Sequence, residues 1–254
     1  MSDEENTPQA PGIAAAWAQP EEAEGAPRRR RGVGPDPMEM LRNWTPKTRL
    51  GRMVQSGQII TIDAAFATGM PIREVEIVDA LIPGLEDDII NVNMIQRMTD
   101  SGRRVRFNVM ACVGNKDGYV GLSICKGKEV AATIQKAIAN AKLNIIQVQR
   151  GNGSWESSVG PGTSVPFKVQ GQAGSTRVTL MSAPSGKGLV IGETGKRVLE
   201  LAGISDVLSR TKGQTRTTIN YAAATFNALA AINRTRVNES QRAELYIHKG
   251  RLLE

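Results

Sequence analysis

The sequence predicts an α+β fold made of two consecutive units, and three observations carry that prediction. Period-two alternation runs from Ile90 to Ile95, from Arg104 to Val113 and through Val120, Leu122 and Ile124, with turn chemistry between the runs. Apolar residues at Val130, Ile134, Ile138 (with Ala137) and Ala141 then recur at three- and four-residue spacing, as on one face of a helix. A second series of short strands and helices follows the Gly/Ser/Pro-rich stretch 150–164.

Residues 1–37 hold little to bury, being rich in Pro, Ala, Glu and Gly, and are expected to be a disordered tail. Residues 38–84 form a helical N-terminal extension. Thr45 and Pro46 suit an N-cap and first turn leading into Lys47–Val54. Asp63 can cap a second short helix ending near Gly69, and Pro71 opens a third with Ile72, Val75, Val78 (or Ile77) and Leu81 on one face. Helices this short need a neighbouring domain to pack on.

The clearest unit is 85–150. Ile90, Val92 and Met94 alternate imperfectly with polar neighbours, and Thr99–Gly102 supplies a turn. In the next strand Val105, Phe107, Val109, Ala111 and Val113 face inward, while Arg104, Arg106, Asn108, Met110 and Cys112 face out. A hairpin turning at Asn115–Gly118 sets Gly114 opposite Tyr119, Cys112 opposite Gly121 and Cys125 opposite Asn108. That register leaves the two cysteines unpaired, as reduced structural thiols. The unit reads as three antiparallel strands and one covering helix.

Residues 151–164 form a linker. In the second unit, 165–233, Val165–Val169, Arg177–Met181 and Leu189–Ile191 read as strands, and Lys196–Ala202 as a helix ended by Gly203. Ile204–Leu208 is strand or turn. Thr218–Ile232 is a long Ala-rich helix with Ile219, Ala222 or Ala223, Phe226 and Leu229 as its buried stripe. Residues 234–254 read as a polar surface tail.

Charge narrows the function. Of 25 acidic residues, six lie within residues 1–27, which contain no Lys or Arg; that leaves 19 acidic against 32 basic residues in the rest. A body so basic suits a polyanion, most commonly nucleic acid. No apolar run approaches the roughly 20 residues that span a bilayer, so no membrane partner is expected. The N-terminus shows no signal-peptide pattern. Two cysteines form no zinc site by themselves, and the one histidine, His248, serves no recognisable catalytic constellation. Neither metal nor other cofactor is expected.

Basic groups supply the candidate binding residues. Lys126-Gly127-Lys128 sits between a strand and a helix N-terminus, where backbone N–H groups and the helix dipole favour an anion; a solvated turn is the alternative. Arg103, Arg104 and Arg106 enter the central strand at what is read as the opposite end of the sheet, with Arg104 and Arg106 on one face. The run Arg28, Arg29, Arg30 and Arg31 either pairs with phosphates or is simply solvated. Lys47, Arg49 and Arg52 of the first short helix complete the set. Gly188–Lys196 imitates a phosphate loop, but Val190 stands where glycine is required and Arg197 where Ser or Thr is required. Gly192–Gly195 better matches the Gly-x-x-Gly loop of KH domains, although Glu193 would repel a phosphate there; a close-packed turn fits equally well. Aromatic stacking platforms are missing, which favours folded RNA read by shape and phosphate.

The stretches GRRVRFNVMACVGNKDGYVGLSICKGKEV and TIQKAIANAK, with SGKGLVIGETGKRVLELAGISDVLSRTKG in the second unit, resemble the universal small-subunit ribosomal protein family S-five (S-two in eukaryotic naming) over about residues 40–240. The extension 38–83 and the cysteine-bearing strands resemble archaeal members. The resemblance implies a double-stranded-RNA-binding-like module followed by a domain with a left-handed βαβ unit. It also implies a structural role, without catalysis, in the small ribosomal subunit of the cytoplasm. Members bind small-subunit rRNA near the mRNA entry path, neighbour the S-four and S-eight proteins, and influence decoding accuracy. Residues 99–103 correspond by position to a loop reaching the neck rRNA, where Asp100 and Ser101 replace the basic character seen in bacterial members. The readings set against this are a free-standing RNA-binding regulator and a nucleotide-dependent enzyme using Gly186–Lys196.

Overall fold

Threonine hydroxyls start the first two helices in the computed structural model, which describes residues 44–82, 84–152 and 162–251. Thr48 accepts from the Gly51 N–H to open α1 (Arg49–Gln55), and Thr61 accepts from the Ala64 N–H to open α2 (Ile62–Ala67). The expected caps Thr45 and Asp63 are displaced: Asp63 sits in the first turn of α2, where its charge favours the helix dipole. Helix α3 (Val75–Leu81) follows Glu74, whose carboxylate accepts from the Lys47 and Thr48 N–H groups and so ties the extension into a loop. Residues 1–43, with the expected disordered tail and Arg28–Arg31, lie outside the described residues.

The first sheet has the order β1 (Glu86–Thr99), β2 (Gly102–Gly114), β3 (Tyr119–Gly127), β4 (Ile145–Gln147), all antiparallel. The short β4 adds a fourth strand to the expected three. Helix α4 (Val130–Leu143) covers one face, packing Ala137 with Ile134 and Ile138 on Ile89, Val109, Ala111 and Cys125. The imperfect alternation in β1 has a cause: a bulge between Ile89 and Asn91 turns Ile90 to the other face from Val92 and Met94.

That other face is not solvent. Met110 and Cys112, expected outward, are buried with Val120 and Leu122 in a core shared with the second unit. The run Val109–Val113 is therefore covered on both sides, which explains its unbroken apolar character.

The second unit is a sheet ordered β6 (Val169–Ala173), β7 (Thr176–Ser182), β9 (Val207–Lys212), β8 (Leu189–Val190). Strands β8 and β9 pair in parallel around helix α5 (Glu193–Leu201), which makes a βαβ unit. Helix α6 (Thr218–Arg234) lies on β6 and β7, burying Tyr221, Ala222, Phe226 and Leu229. Strand β6 lies C-terminal to the expected Val165–Val169. Gly171 marks the reason: a Cβ there would stand 2.1 Å from the Ala224 carbonyl oxygen, so only glycine lets the helix lie this close.

The two units are fastened at the β2–β3 turn. The Lys116 and Gly118 N–H groups donate to the Leu201 and Ala202 carbonyls at the end of α5. Asn115 Oδ1 accepts from the Asp117 and Tyr119 N–H groups, so the loop is longer than expected and the register moves by one. Gly114 faces Val120, Cys112 faces Leu122 and Cys125 faces Val109. Both cysteines are free and buried.

The expected surface tail instead folds back. Helix α7 (Glu239–Glu244) has an Asn238–Gln241 capping box, and β10 (His248–Lys249) pairs with β5 (Gln149–Arg150). Arg150, at the head of the Gly/Ser/Pro-rich stretch 150–164, is buried. Its Nη2 donates to Asp117 at 2.7 Å and to the Gly250 carbonyl at 2.9 Å.

The extension packs on the far end of the first sheet. Ile62, Val78 and Ile82 bury against Tyr119 and Ile145, and Asp63 accepts from the Tyr119 hydroxyl at 2.6 Å and from Gln147 Nε2 at 2.8 Å. Burial, and secondarily the Asp88 charge, pushes the Cys112 thiol up to about 12 from an ordinary 9.0. Burial and the bond to Asp63 likewise raise the Tyr119 phenol. The folded protein keeps both protons where the unfolded chain releases them, so this stabilisation is complete below about pH 9 and falls as pH rises toward 12. Urea unfolding should give a constant midpoint from pH 8 to 9 and a declining one by pH 10.5; a flat profile to pH 11 would contradict the assignment.

Candidate nucleic-acid interface

The β1–β2 hairpin outruns its cover. Residues 102–106 are exposed while 108–114 are buried, so β2 leaves the core near Phe107. At about 3.3 Å per residue the free part of the hairpin projects roughly 20 Å.

Register decides what it carries. Paired residues point to the same side, and Arg97 lies opposite Arg104, Ile95 opposite Arg106, and Met98 opposite Arg103. One face of the hairpin therefore holds Arg97, Arg104 and Arg106. The other is largely apolar, with Val92, Met94, Met98 and Val105 exposed beside Arg103. Val105 was expected to face inward; its side of the sheet does continue from the core, but α4 stops short of it.

The basic turn joins this end. Strand β3 returns antiparallel to β2, setting Gly127 opposite Phe107 and Lys126 opposite Asn108. Lys126 thus shares the face of Arg104 and Arg106, with its Cα about 7–8 Å diagonally from that of Arg106. This corrects the expected placement of the two basic groups at opposite ends of the sheet. Gly127 fixes the turn, because a Cβ would stand 2.0 Å from Thr133 Oγ1 in the first turns of α4. Glu129 holds the N-cap without a side-chain cap bond, bringing a carboxylate to the helix end. The turn's positive character accordingly rests on Lys126 and Lys128, both exposed, more than on the helix dipole.

Four cations on one face find no carboxylate among the described residues. Among the described residues, Arg97, Arg104, Arg106 and Lys126 take part in none of the ion pairs, whereas Lys116, Lys142, Arg150, Lys196, Arg197 and Arg251 do. Arg97 directly opposite Arg104 is a like-charge pair that destabilises the free protein, a cost that a bound polyanion would remove. Arg97 was missed in the sequence because only the strand pairing brings it to the site.

Other candidates lie elsewhere. Lys47, Arg49 and Arg52 are exposed on the extension, at the Tyr119 end of the sheet, so they do not join the hairpin cluster. The phosphate-loop imitation is a packed turn. Gly192 N–H donates to the Tyr221 hydroxyl, and a Cβ on Gly195 would stand 2.7 Å from the Ile191 side chain. Lys196 pairs with Glu200 at 3.7 Å, and Arg197 with Glu193 at 3.0 Å. Among the described residues no group of His, Cys, Asp and Glu is placed to hold a metal ion, and no helix is long and apolar enough to cross a membrane.

Comparison with known proteins covers both units. A model of the ribosomal protein S5 N-terminal domain matches residues 85–149, and one of the ribosomal protein S5 C-terminal domain matches residues 171–242. The chain is 57% identical over 194 residues to the small ribosomal subunit protein uS5 of Methanospirillum hungatei, covering 76% of this chain and 95% of that relative. The uS5 of Methanothrix thermoacetophila is 53% identical over 186 residues, covering 73% and 92%. That of Thermoplasma volcanium is 49% identical over 199 residues, covering 78% and 90%.

Proposed function

The chain belongs to the ribosomal protein S5 family, and from that premise we propose that it is a structural component of the small ribosomal subunit that binds rRNA through the β1–β2 hairpin and the β3–α4 turn. The observation that carries the binding reading is the row of Arg97, Arg104, Arg106 and Lys126 on one face, without carboxylate partners among the described residues. Arg103 and Lys128 flank the row and add to its field. Phosphate contacts of this kind position a protein on RNA without reading sequence.

The finer assignments follow the family resemblance. The hairpin is placed at rRNA near the mRNA entry path, the S-four and S-eight proteins are its neighbours, and the chain supports decoding accuracy without a catalytic step of its own. The division into 38–84, 85–150 and 165–233 goes with it, as do Lys47, Arg49, Arg52 and the Arg28–Arg31 run as outlying rRNA contacts.

Sedimentation of a cell extract tests the assignment. The chain should travel with the small subunit at low magnesium, where subunits separate, and be stripped by high salt. Recovery at the top of the gradient under both conditions would instead fit a free-standing regulator.

A further inference from the structure

The second sheet has one face turned away from α6, basic and polar over β6, β7 and the end of β9, and apolar beyond, where Met181, Leu208 and Val190 pair. Gly171 and Val178 face the helix, so their strand neighbours Gln170, Gln172, Arg177 and Thr179 face outward. The pairing carries this across the sheet in two rows: Gln172–Arg177–Lys212 and Gln170–Thr179–Arg210. Arg177, Arg210, Lys212 and both glutamines are exposed. None of the four strands contains an acidic residue, and none of the three cations has an ion-pair partner among the described residues. Arg177 and Lys212 again set like charges directly across a strand pair, an arrangement that destabilises the free sheet.

We infer that this open sheet face is a second RNA-contacting surface, which binds ribose-phosphate backbone separately from the hairpin. The inference rests on the rRNA-binding reading above and extends it to the second domain. Charge complementarity selects the occupant. Three cations within two strand spacings suit successive phosphates, and the flanking carboxamides and the Thr179 hydroxyl offer donors and acceptors to ribose 2′-hydroxyls. No aromatic side chain stands on the face, so contact is with backbone and not with stacked bases.

The test uses the full chain and a full-length small-subunit rRNA transcript, with hydroxyl-radical footprinting and the salt dependence of binding read together. Arg177→Gln, Arg210→Gln and Lys212→Gln are combined in one variant. A control combines Arg73→Gln, Arg236→Gln and Arg242→Gln, which removes the same charge from exposed positions elsewhere. The sheet variant should flatten the log–log salt slope by about 2–3 and lose a set of protections that a hairpin variant keeps. Arg210→Gln alone should flatten it by about 0.7–0.9, which keeps the test valid should the triple variant fold poorly. The inference is overturned if the sheet variant matches the control, if its lost protections coincide with those of the hairpin, or if only capture of a neighbouring subunit protein is weakened. A wild-type chain with no salt-dependent rRNA binding would instead sink the underlying reading.

Discussion

Replacing Arg97, Arg104, Arg106 and Lys126 together with glutamine is expected to weaken binding to small-subunit rRNA by roughly 200- to 1,000-fold near 0.15 M salt. The figure follows from counterion release: each phosphate contact contributes about 0.7–0.9 to the log–log salt slope, and four are removed. Electrophoretic or filter-binding titration at several salt concentrations would measure it. Stability should not fall with affinity, since all four side chains lie outside the ion-pair network and one like-charge pair is relieved. A variant that loses affinity and also melts early would point to a structural role for the hairpin face. Arg97→Gln alone separates this account from one based on the arginines adjacent in sequence, because Arg97 enters only through its pairing with Arg104.

The largest effect on the fold is expected at Arg150. Its guanidinium holds Asp117 in the β2–β3 turn, the Gly203 carbonyl after α5 and the Gly250 carbonyl after β10, so three segments distant in sequence meet on one side chain. Arg150→Ala removes all three bonds and leaves the Gly203 and Gly250 carbonyls without their donor, while the partly exposed Asp117 keeps Arg251 at 3.7 Å. A loss of about 2–3 kcal/mol is expected, from lost charge-assisted hydrogen bonds and the space left by a buried side chain. Chemical denaturation would show it as a lower midpoint, together with faster amide exchange across 115–118 and 248–250. Arg150→Lys should recover part of the loss, because a single ammonium keeps the charge but cannot span all three acceptors.

Much of the fold could be read from residue patterns, and the exceptions have physical causes. The strands from Arg104 to Val113 and from Val120 to Ile124 are visible because inward and outward positions differ. Met110 and Cys112 defeat that logic: the second unit covers the face they point to, and a doubly covered strand has no polar side to reveal it. Strand β6, with the sequence VQGQA, has the glutamines and glycine that propensity disfavours, and the close seat of α6 on Gly171 explains the glycine. The burial of Arg150, which heads the Gly/Ser/Pro-rich stretch 150–164, is not legible in the sequence because it depends on partners far along the chain.

The proposed binding site is half legible in the sequence. Arg103, Arg104, Arg106, Lys126 and Lys128 stand out in the sequence, and the family they resemble follows from two long ordered blocks. Their nearness is already implied by an antiparallel hairpin that sets Cys125 opposite Asn108; that Lys126 shares a face with Arg104 and Arg106 is not, because it depends on a register moved by Asn115. Face chemistry is invisible to composition. The same hairpin carries arginines on one side and Met94, Met98 and Val105 on the other, and only the pairing sorts them.

The central claim is that the hairpin face and the β3–α4 turn hold rRNA by phosphate contacts. Its most direct measurement is the affinity of the full chain for the small-subunit rRNA transcript between 50 and 200 mM monovalent salt, beside the four-residue glutamine variant. The account predicts a linear log–log fall with a slope of about −3 or steeper for the wild type, and a slope shallower by about 3 for the variant. Equal slopes for the two proteins, or a wild-type affinity indifferent to salt, would contradict it.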